Sequence, residues 1–182
     1  MNLTEKQLTK KYIFKGKVIN HRRDTALLPN NTEAIREVVE HNGGVCVAAL
    51  TDDNEVLFVK QFRYPYMEEI LEIPAGKRDS LNEDPLECGK RELKEETGAA
   101  AKRFIPLGEL YPTPGYCGEI IWMFAATDLD FGDQDPDDDE FLEVKKIPLE
   151  KAVEMILNGE IKDAKTQAAI LKLKLLKDSG VI

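Results

Sequence analysis

The 182-residue chain is poor in the residues that mark several protein classes. Its three cysteines, Cys46, Cys88 and Cys117, are far apart and form no CxxC pair, and it has only two histidines. This pattern argues against a disulfide framework and a zinc site, and it indicates a reducing compartment. No apolar run reaches the length of a membrane span, and the N-terminus lacks the apolar segment of a signal peptide. We therefore expect a cytoplasmic protein with no membrane partner.

Positive charge is also scarce. The chain has 25 Lys and Arg residues against 34 Asp and Glu residues, which gives a net charge of -9. Such a balance argues against non-specific binding to nucleic acid. An acidic protein that handles an anionic substrate needs a metal ion and a few well-placed arginines. The length suits one domain, or one domain with an appendage.

The first 40 residues contain short strand-like pieces separated by turn residues. These pieces are predicted at residues 12–14, 17–19, 26–28 and 35–39. Together they would form a small antiparallel sheet with too little apolar surface to be stable alone. Such a sheet must pack on the rest of the chain or on a second copy. We therefore predict an N-terminal β subdomain over residues 1–40 and a main domain over residues 41–182.

The main domain alternates strand patterns with three helix patterns. Strands are predicted at residues 45–50, 56–59, 69–76, 107–111, 120–125 and 141–144, with an acidic loop over 128–140. One helix lies in the middle of this domain, and two lie near its end, at 149–158 and after the N-cap Asp163. Sheet segments flanked by one central and two terminal helices indicate an α/β class protein with an α/β/α sandwich and a mixed β-sheet.

The central helix is bounded by clear local signals. Asp84 is a good N-cap, Pro85 suits the first helical position, and Gly98 provides a stop. The helix carries three carboxylates on one face, at Glu92, Glu95 and Glu96. These acids repel one another, which suggests that their charge is used. A hard divalent cation such as Mg²⁺ is the obvious partner, because it prefers oxygen ligands.

The segment from Gly76 to Ala99 resembles the Nudix box: a glycine, a spacer, a glutamate, seven residues, and then Arg-Glu-apolar-x-Glu-Glu-x-Gly-apolar. The matching positions are Gly76, Glu83, Arg91, Glu92, Leu93, Glu95, Glu96, Gly98 and Ala99. The spacer before Glu83 holds six residues where the pattern has five, which we interpret as a one-residue loop insertion. A solvated acidic helix is the simpler alternative, but nine positions matching in order argue against it. The resemblance implies the Nudix fold, in agreement with the predicted sandwich.

The same resemblance implies the metal ligands. Glu92 and Glu96 would be the main ligands of Mg²⁺ or Mn²⁺, and the backbone carbonyl of Ala75 would be another. Glu95 would be a further ligand or would position water, so that Glu95 and Glu96 belong to the catalytic set. Divalent ions neutralise phosphate charge and lower the pKa of bound water. Arg91 is expected to hold Glu83, or to form a simple surface pair.

Other residues resemble the ADP-ribose pyrophosphatase subgroup. Pro114 lies sixteen residues beyond Gly98, where a proline is typical of that subgroup, although a plain turn would also explain it. Arg36 and Arg63 lie where the subgroup places substrate-binding arginines, although structural salt bridges would explain them as well. In that subgroup the N-terminal sheet helps to build a homodimer, which we also expect here, with Arg36 then able to act in the partner's site.

Three further positions are assigned by resemblance or by strand alternation. Glu140 in the acidic loop is the expected general base, with its neighbour Asp139 as the substitute and a solvated acid as the alternative. Glu72 would point towards the metal loop as a substrate-binding residue, or would be an exposed strand position facing away from Glu69. Trp122 lies in an apolar strand, so we expect it to pack in the core rather than to stack on adenine.

These features together predict metal-dependent hydrolysis of the diphosphate bond of ADP-ribose to AMP and ribose 5-phosphate. One alternative is another nucleoside diphosphate derivative, such as a GDP-sugar. The other is a non-catalytic Nudix-fold sensor of ADP-ribose. The filled box, and the lack of a basic helix-turn-helix segment after the predicted core, favour the enzyme.

Overall fold

A computed structural model describes residues 2–136 and 140–182 of the chain. The N-terminal part contains the strands β1 (Lys6–Thr9), β2 (Tyr12–Lys15), β3 (Asn20–Leu27) and β4 (Glu33–Glu40). The main part continues with β5 (Gly44–Ala49), β6 (Glu55–Arg63), β7 (Glu68–Glu72), β8 (Ala75–Lys77), α1 (Pro85–Thr97), β9 (Ala99–Leu110), β10 (Ile121–Phe131), β11 (Leu142–Pro148), α2 (Leu149–Leu157) and α3 (Ala164–Asp178).

The N-terminal strands form an antiparallel sheet centred on β3. This strand pairs with β4 along its length and with β1 and β2 over its two halves. The strand predicted at residues 17–19 is wrong, because residues 17 and 18 form a bend. The N–H of Gly16 donates to the carbonyl of Ile19 at 3.0 Å and closes the turn between β2 and β3.

Two sheets make up the main part. The first has the order β8-β5-β10-β9, in which β5 and β10 are parallel and the other pairs are antiparallel. The prediction of a mixed sheet is therefore confirmed. The second sheet is antiparallel, with β6 between β7 and β11. A single β-bridge between Leu50 and Val56 links the hairpin that joins the two sheets.

Strand β5 has no exposed face, and its side chains divide between two apolar layers. Cys46 and Ala48 belong to a cluster that includes Ile170 of α3 and residues of α2. Val47 and Ala49 belong to a second cluster, with Leu93 of α1. Because successive side chains of a strand point to opposite faces, α1 covers one face of the sheet and α2 and α3 cover the other. This confirms the α/β/α sandwich.

Strand β10 is longer than predicted. Residues 128–131, predicted as the start of an acidic loop, continue the strand and pair with residues at the start of β9. The reason is the pairing with β9: Gly98 ends α1 with a left-handed φ of 69°, β9 begins at the next residue, and residues 99–101 pair with residues 129–131. Strand β10 therefore has a partner at its end as well as at its start.

Two negative predictions concern thiols and membranes. Cys46, Cys88 and Cys117 are all free thiols, and burial raises the pKa of Cys46 to about 12. Among the residues that the structure describes, none of the helices combines the length and the apolar character that a bilayer span requires.

Candidate active site

A cavity of about 390 Å³ opens between α1, the β8 edge of the mixed sheet, and the start of α3. Its walls come from distant parts of the chain: Val18, His41, Gly44, Val45, Gln61, Arg63, Ala75, Gly76, Lys77, Glu96, Pro112, Glu119, Ile121, Glu140, Asp163, Ala164 and Lys165. The volume lies in the range of small-molecule sites.

Helix α1 brings Glu96 to the wall of this cavity, whereas Glu92 and Glu95 of the same helix do not line it. Its start is fixed by Asp84, whose side chain accepts hydrogen bonds from the N–H groups of Leu86 and Glu87 at 2.9 and 3.2 Å. One face of the helix buries Cys88 and Leu93, and the carboxylates of the box lie towards β8. Both predicted helix boundaries are confirmed.

Glu96 is the more buried of the two main carboxylates, with 1% of its surface exposed. Its Oε2 atom accepts a hydrogen bond from the backbone N–H of Ala75 at 3.0 Å. Burial raises the pKa of Glu96 to about 8, against the lowering effect of the Ala75 N–H, and the charges of Glu92 and Glu140 raise it further. A carboxylate that is desolvated and short of positive charge is suited to bind a cation.

Glu92 lies directly against the loop backbone at Gly76. A Cβ atom on Gly76 would be 2.0 Å from the Cδ atom of Glu92, so any other residue here would push the carboxylate out of its present position. Burial raises the pKa of Glu92 to about 7 in spite of the opposing charge of Arg91. The glycine of the box, Gly76, and the first box acid of α1, Glu92, are thus in direct contact.

Arg91 holds the outer acids of the box. Its Nη1 atom lies 2.9 Å from carboxylate oxygens of both Glu92 and Glu95, and its Nη2 atom lies 3.4 Å from Glu83. The expected contact with Glu83 is therefore present, but the contacts with Glu92 and Glu95 are closer. Glu95 is accordingly held by Arg91 at the edge of the site.

The donor set fits a divalent ion that keeps part of its water shell. Within residues 2–136 and 140–182, no three carboxylate, imidazole or thiol side chains already lie together as a metal cluster. Mg²⁺ does not require three, because it commonly takes one or two carboxylates together with waters and substrate phosphates. Glu92, Glu96 and the backbone carbonyl of Ala75 would supply such a site. The raised pKa values of the two carboxylates show that their charged forms are destabilised by burial, and a bound cation would stabilise those charged forms.

A buried ion network forms the opposite wall. Glu72 is 2% exposed, and its carboxylate accepts from Arg63 through Nε at 2.6 Å and through Nη2 at 2.9 Å. The ammonium of Lys165 also pairs with Glu72, and it lies 3.1 Å from Asp163. Burial alone would raise the pKa of Glu72, but Arg63 and Lys165 outweigh it and the pKa lies below its ordinary value. The alternative of an exposed Glu72 is therefore wrong.

Strand alternation correctly separates the two glutamates of β7. Glu69 is exposed and pairs with Lys60 on the other side of the strand, away from the cavity. Arg63, in contrast, lies at the end of β6 with its guanidinium beside the cavity. Its salt bridge with Glu72 was one predicted alternative, and the structure contains both the salt bridge and the cavity position.

Glu140 lines the cavity as an exposed residue two positions before the start of β11. Its charge contributes to the raised pKa of Glu92 and Glu96, which places it near both. Asp139, the predicted substitute for Glu140 as base, lies outside the described residues.

Three predicted substrate-binding residues, Arg36, Glu72 and Pro114, do not line the cavity of a single chain, and Glu72 contacts it only through Arg63. Arg36 is on β4 and pairs with Glu5, with Nη2 2.6 Å from its carboxylate. Pro114 is exposed in the turn after β9, and Pro112 rather than Pro114 reaches the cavity. Their assignment to substrate binding stays a prediction.

Several residues of the cavity were not predicted. Lys165 follows the helix cap Asp163 and looks like a solvated lysine, because its partner Glu72 is 93 residues away. His41 and Glu119 also meet at the cavity, with His41 Nδ1 3.4 Å from the Glu119 carboxylate. No local spacing connects these pairs, so only the fold reveals them.

Comparison with known proteins agrees with this architecture. The NUDIX domain matches residues 40–170 of the chain. The ADP-ribose pyrophosphatase of Bacillus subtilis (strain 168) is 42% identical over 96% of this chain and 95% of its own length. The methanol dehydrogenase activator of Bacillus methanolicus is 36% identical over 94% of this chain and 93% of its own.

A solved structure described as an ADP compounds hydrolase shares the fold. It superposes with a TM-score of 0.85 over 100% of both chains, at 20% sequence identity. The match of the NUDIX domain to most of the chain, the identity with full-length relatives and the filled box on α1 agree with one another. The chain belongs to the NUDIX domain family.

Proposed function

We propose that this protein hydrolyses the diphosphate bond of ADP-ribose, or of a related nucleoside diphosphate sugar, with Mg²⁺ or Mn²⁺ as the cofactor. The observation that carries the proposal is a pair of desolvated carboxylates on α1: Glu96 lines the cavity together with Arg63, and Glu92 lies behind the cavity-lining Gly76. The 42% identical relative named ADP-ribose pyrophosphatase supports the choice of substrate.

Different residues of the cavity would serve the two requirements of the reaction, which are binding of the phosphates and activation of a water molecule. A diphosphate brings negative charge, and Arg63 offers a planar fork that suits phosphate oxygens. Glu72 holds that fork from behind by accepting two of its hydrogen bonds, and Lys165 pairs with Glu72 in turn. A divalent ion, when bound by Glu92 and Glu96, would neutralise phosphate charge and lower the pKa of a bound water.

Glu140 is the proposed general base. It is exposed at the cavity and lies near both buried carboxylates, so it can take a proton from a water held there. Glu95 is proposed to assist from the edge of the site, where Arg91 orients it.

The test is product release from a panel of ADP-ribose, a GDP-sugar, a UDP-sugar, a diadenosine polyphosphate and an oxidised nucleotide, with and without Mg²⁺. Glu96→Gln is the matched control, because it removes the charge and keeps the shape. We expect ADP-ribose to be preferred and Glu96→Gln to lose several orders of magnitude in kcat. Preference for a GDP-sugar would change the assigned substrate but leave the assigned reaction, diphosphate hydrolysis, as it is. Unchanged turnover in Glu96→Gln would overturn the metal site.

A non-catalytic sensor is the second candidate. The relative named methanol dehydrogenase activator favours a role exercised on another protein. The intact box favours the enzyme, because a sensor has no need for two costly buried carboxylates. Binding of ADP-ribose by calorimetry without turnover of any panel member would establish the sensor instead.

We also propose a homodimer built on the N-terminal sheet. Its exposed apolar side chains include Tyr12, Ile13, Phe14, Val18 and Ile35. A monomer leaves these apolar side chains in water, and a second copy of the chain would cover part of them. Arg36 lies on the same sheet and is proposed to act in the partner's site. A monomer mass by light scattering at micromolar concentration would contradict the dimer.

A cytoplasmic location is proposed on the basis of the three free thiols. Recovery of the native protein only in an oxidising fraction after cell fractionation would contradict it.

A further inference from the structure

The loop between β8 and α1 contains a buried arginine that does not touch the cavity. Arg78 is 8% exposed, although it lies in the six-residue spacer that is one residue longer than the box pattern. No carboxylate forms an ion pair with it among residues 2–136 and 140–182. A buried guanidinium without an acid needs other partners, since its desolvation is costly.

Backbone carbonyls provide those partners. Arg78 donates from Nε to the carbonyl of Glu83 at 2.9 Å, and from Nη2 to the carbonyls of Leu81 and Glu83 at 2.5 and 2.6 Å. Its Nη1 atom lies 3.4 Å from the carbonyl of Asn42. The planar fork thus closes the loop on itself, because its acceptors lie three and five residues further along the same loop.

An aromatic ring supports the other face of the fork. The Arg78 guanidinium carbon lies 4.7 Å from the ring centroid of Trp122 on β10, which is a cation–π contact. The ring fills the space beside Gly43, where a Cβ atom would be 2.7 Å from Trp122 Cζ3. The backbone N–H of Arg78 also donates to the carbonyl of Gly43 at 3.0 Å. The prediction that Trp122 packs in the core is therefore wrong: its side chain is only partly buried and packs against Arg78 and Gly43.

The closed loop leads to the box carboxylates at both ends. At one end Gly76 contacts Glu92. At the other end the carboxylate of Glu83 accepts from the N–H of Asp79 at 2.6 Å and faces Arg91, which in turn contacts Glu92. A longer loop has more conformations to restrict, and cross-loop hydrogen bonds from a rigid fork restrict them.

We propose that Arg78, stacked on Trp122, is a positioning residue that fixes the enlarged box loop and so sets the affinity of the Glu92–Glu96 site for divalent ions. This inference rests on the proposed metal-dependent function, but it concerns ion affinity rather than substrate. Residues that orient metal ligands from behind typically change affinity about 10- to 100-fold when they are removed.

The test compares Arg78→Ala with Arg78→Lys and with Arg103→Ala. Arg103 is the matched control: it also donates to a carbonyl, that of Val181, but it is exposed and does not line the cavity. Binding of Mn²⁺ alone is followed by the electron paramagnetic resonance of the free ion. We expect Arg78→Ala to weaken Mn²⁺ binding about tenfold, Arg78→Lys to restore part of the affinity, and Arg103→Ala to match wild type.

Trp122 provides a second reading, because it is the only tryptophan of the chain. Loss of the guanidinium exposes the indole to water, so the fluorescence of Arg78→Ala should move to longer wavelength. If Arg78→Ala does not fold, Arg78→Lys decides, since it keeps the charge and loses the fork. Wild-type Mn²⁺ affinity in the folded variants would overturn the proposal, and so would an unchanged emission spectrum.

These readings are separate from the proposed function. Mn²⁺ affinity that depends on Arg78, in a protein that turns over no diphosphate, would support the positioning role while overturning the enzyme. Turnover of ADP-ribose by a protein whose Mn²⁺ affinity does not depend on Arg78 would support the enzyme and overturn the positioning role of Arg78.

Discussion

The carboxylate of Glu72 is predicted to be the largest single electrostatic contributor to the stability of the cavity wall. It is 2% exposed and receives both Arg63 and Lys165. The substitution Glu72→Gln keeps the volume and one acceptor oxygen but removes the charge. Removing one partner of a buried ion pair generally costs about 3 to 5 kcal/mol, because the remaining charge stays buried without compensation.

The surroundings place Glu72→Gln at the lower end of that range. Lys165 keeps a second acid, Asp163, at 3.1 Å, and the side chain of Arg63 is 38% exposed and can reach water. We therefore expect a loss of about 3 kcal/mol in the free energy of unfolding. For a chain of this size the loss corresponds to a fall in Tm of roughly 6 to 12 °C.

The matched control lies on the same strand. Glu69 also pairs with a lysine, Lys60, but its side chain is 62% exposed, so Glu69→Gln should leave Tm unchanged. Calorimetry and urea unfolding of the two variants give the comparison. Because the folded pKa of Glu72 is lowered, the difference between wild type and Glu72→Gln should be full at pH 7 and disappear as the pH falls below the ordinary carboxyl value of 4.5.

An equal Tm for Glu69→Gln and Glu72→Gln would refute this reasoning, and so would a difference that persists unchanged at pH 3. The activity provides a further check. Arg63 loses its bidentate partner in Glu72→Gln, so we expect KM for the diphosphate substrate to rise more than kcat falls.

Three further predictions concern the box and its base. Gly76→Ala should lower divalent-ion affinity and kcat about 10- to 100-fold, because the new Cβ atom would displace the carboxylate of Glu92. Gly115→Ala is the control: a Cβ atom there would meet no atom within 4 Å, so this variant should behave as wild type in the same assays. In the absence of metal, Tm should fall by several degrees as the pH rises from about 4.5 to 8, because burial raises the pKa of Glu92 to about 7 and that of Glu96 to about 8. Saturating Mg²⁺ should remove this pH dependence. A Tm that rises between pH 4.5 and 8 without metal would contradict the role given to the two carboxylates. Glu140→Gln should lower kcat about 100-fold or more while leaving Mn²⁺ affinity within twofold of wild type, and an unchanged kcat would exclude Glu140 as the base.

The parts of the molecule that local signals determine could be predicted from the sequence. Asp84, Pro85 and Gly98 bound α1 because capping and φ preferences act within a few residues. The spacing of Glu92 and Glu96 places both on one face of that helix, and the structure brings both to the β8 side. The apolar run of β5 correctly predicted a buried strand, and the positions of the three helix patterns correctly predicted the sandwich.

The parts that depend on distant contacts could not be predicted in this way. The role of Lys165 depends on a partner in β7, and the length of β10 depends on the pairing that β9 offers it. The prediction of a strand at residues 17–19 is wrong because these residues lie in the turn that the hydrogen bond from Gly16 to Ile19 closes. Arg78 looked like an ordinary charged loop residue, since nothing in the local sequence connects it with Trp122.

One buried hydrogen bond determines how late in synthesis the site can be completed. The N–H of Ile73, just before the box loop, donates to the hydroxyl of Thr166 at 3.0 Å, across 93 residues of chain. At typical rates of synthesis that interval takes roughly 5 to 20 s. Until α3 leaves the ribosome, the segment between Glu72 of β7 and Ala75 of β8 has a polar group without its final partner. A nascent chain that ends before α3 is therefore expected to be inactive and open to chaperones, even though every residue of the box has already been synthesised.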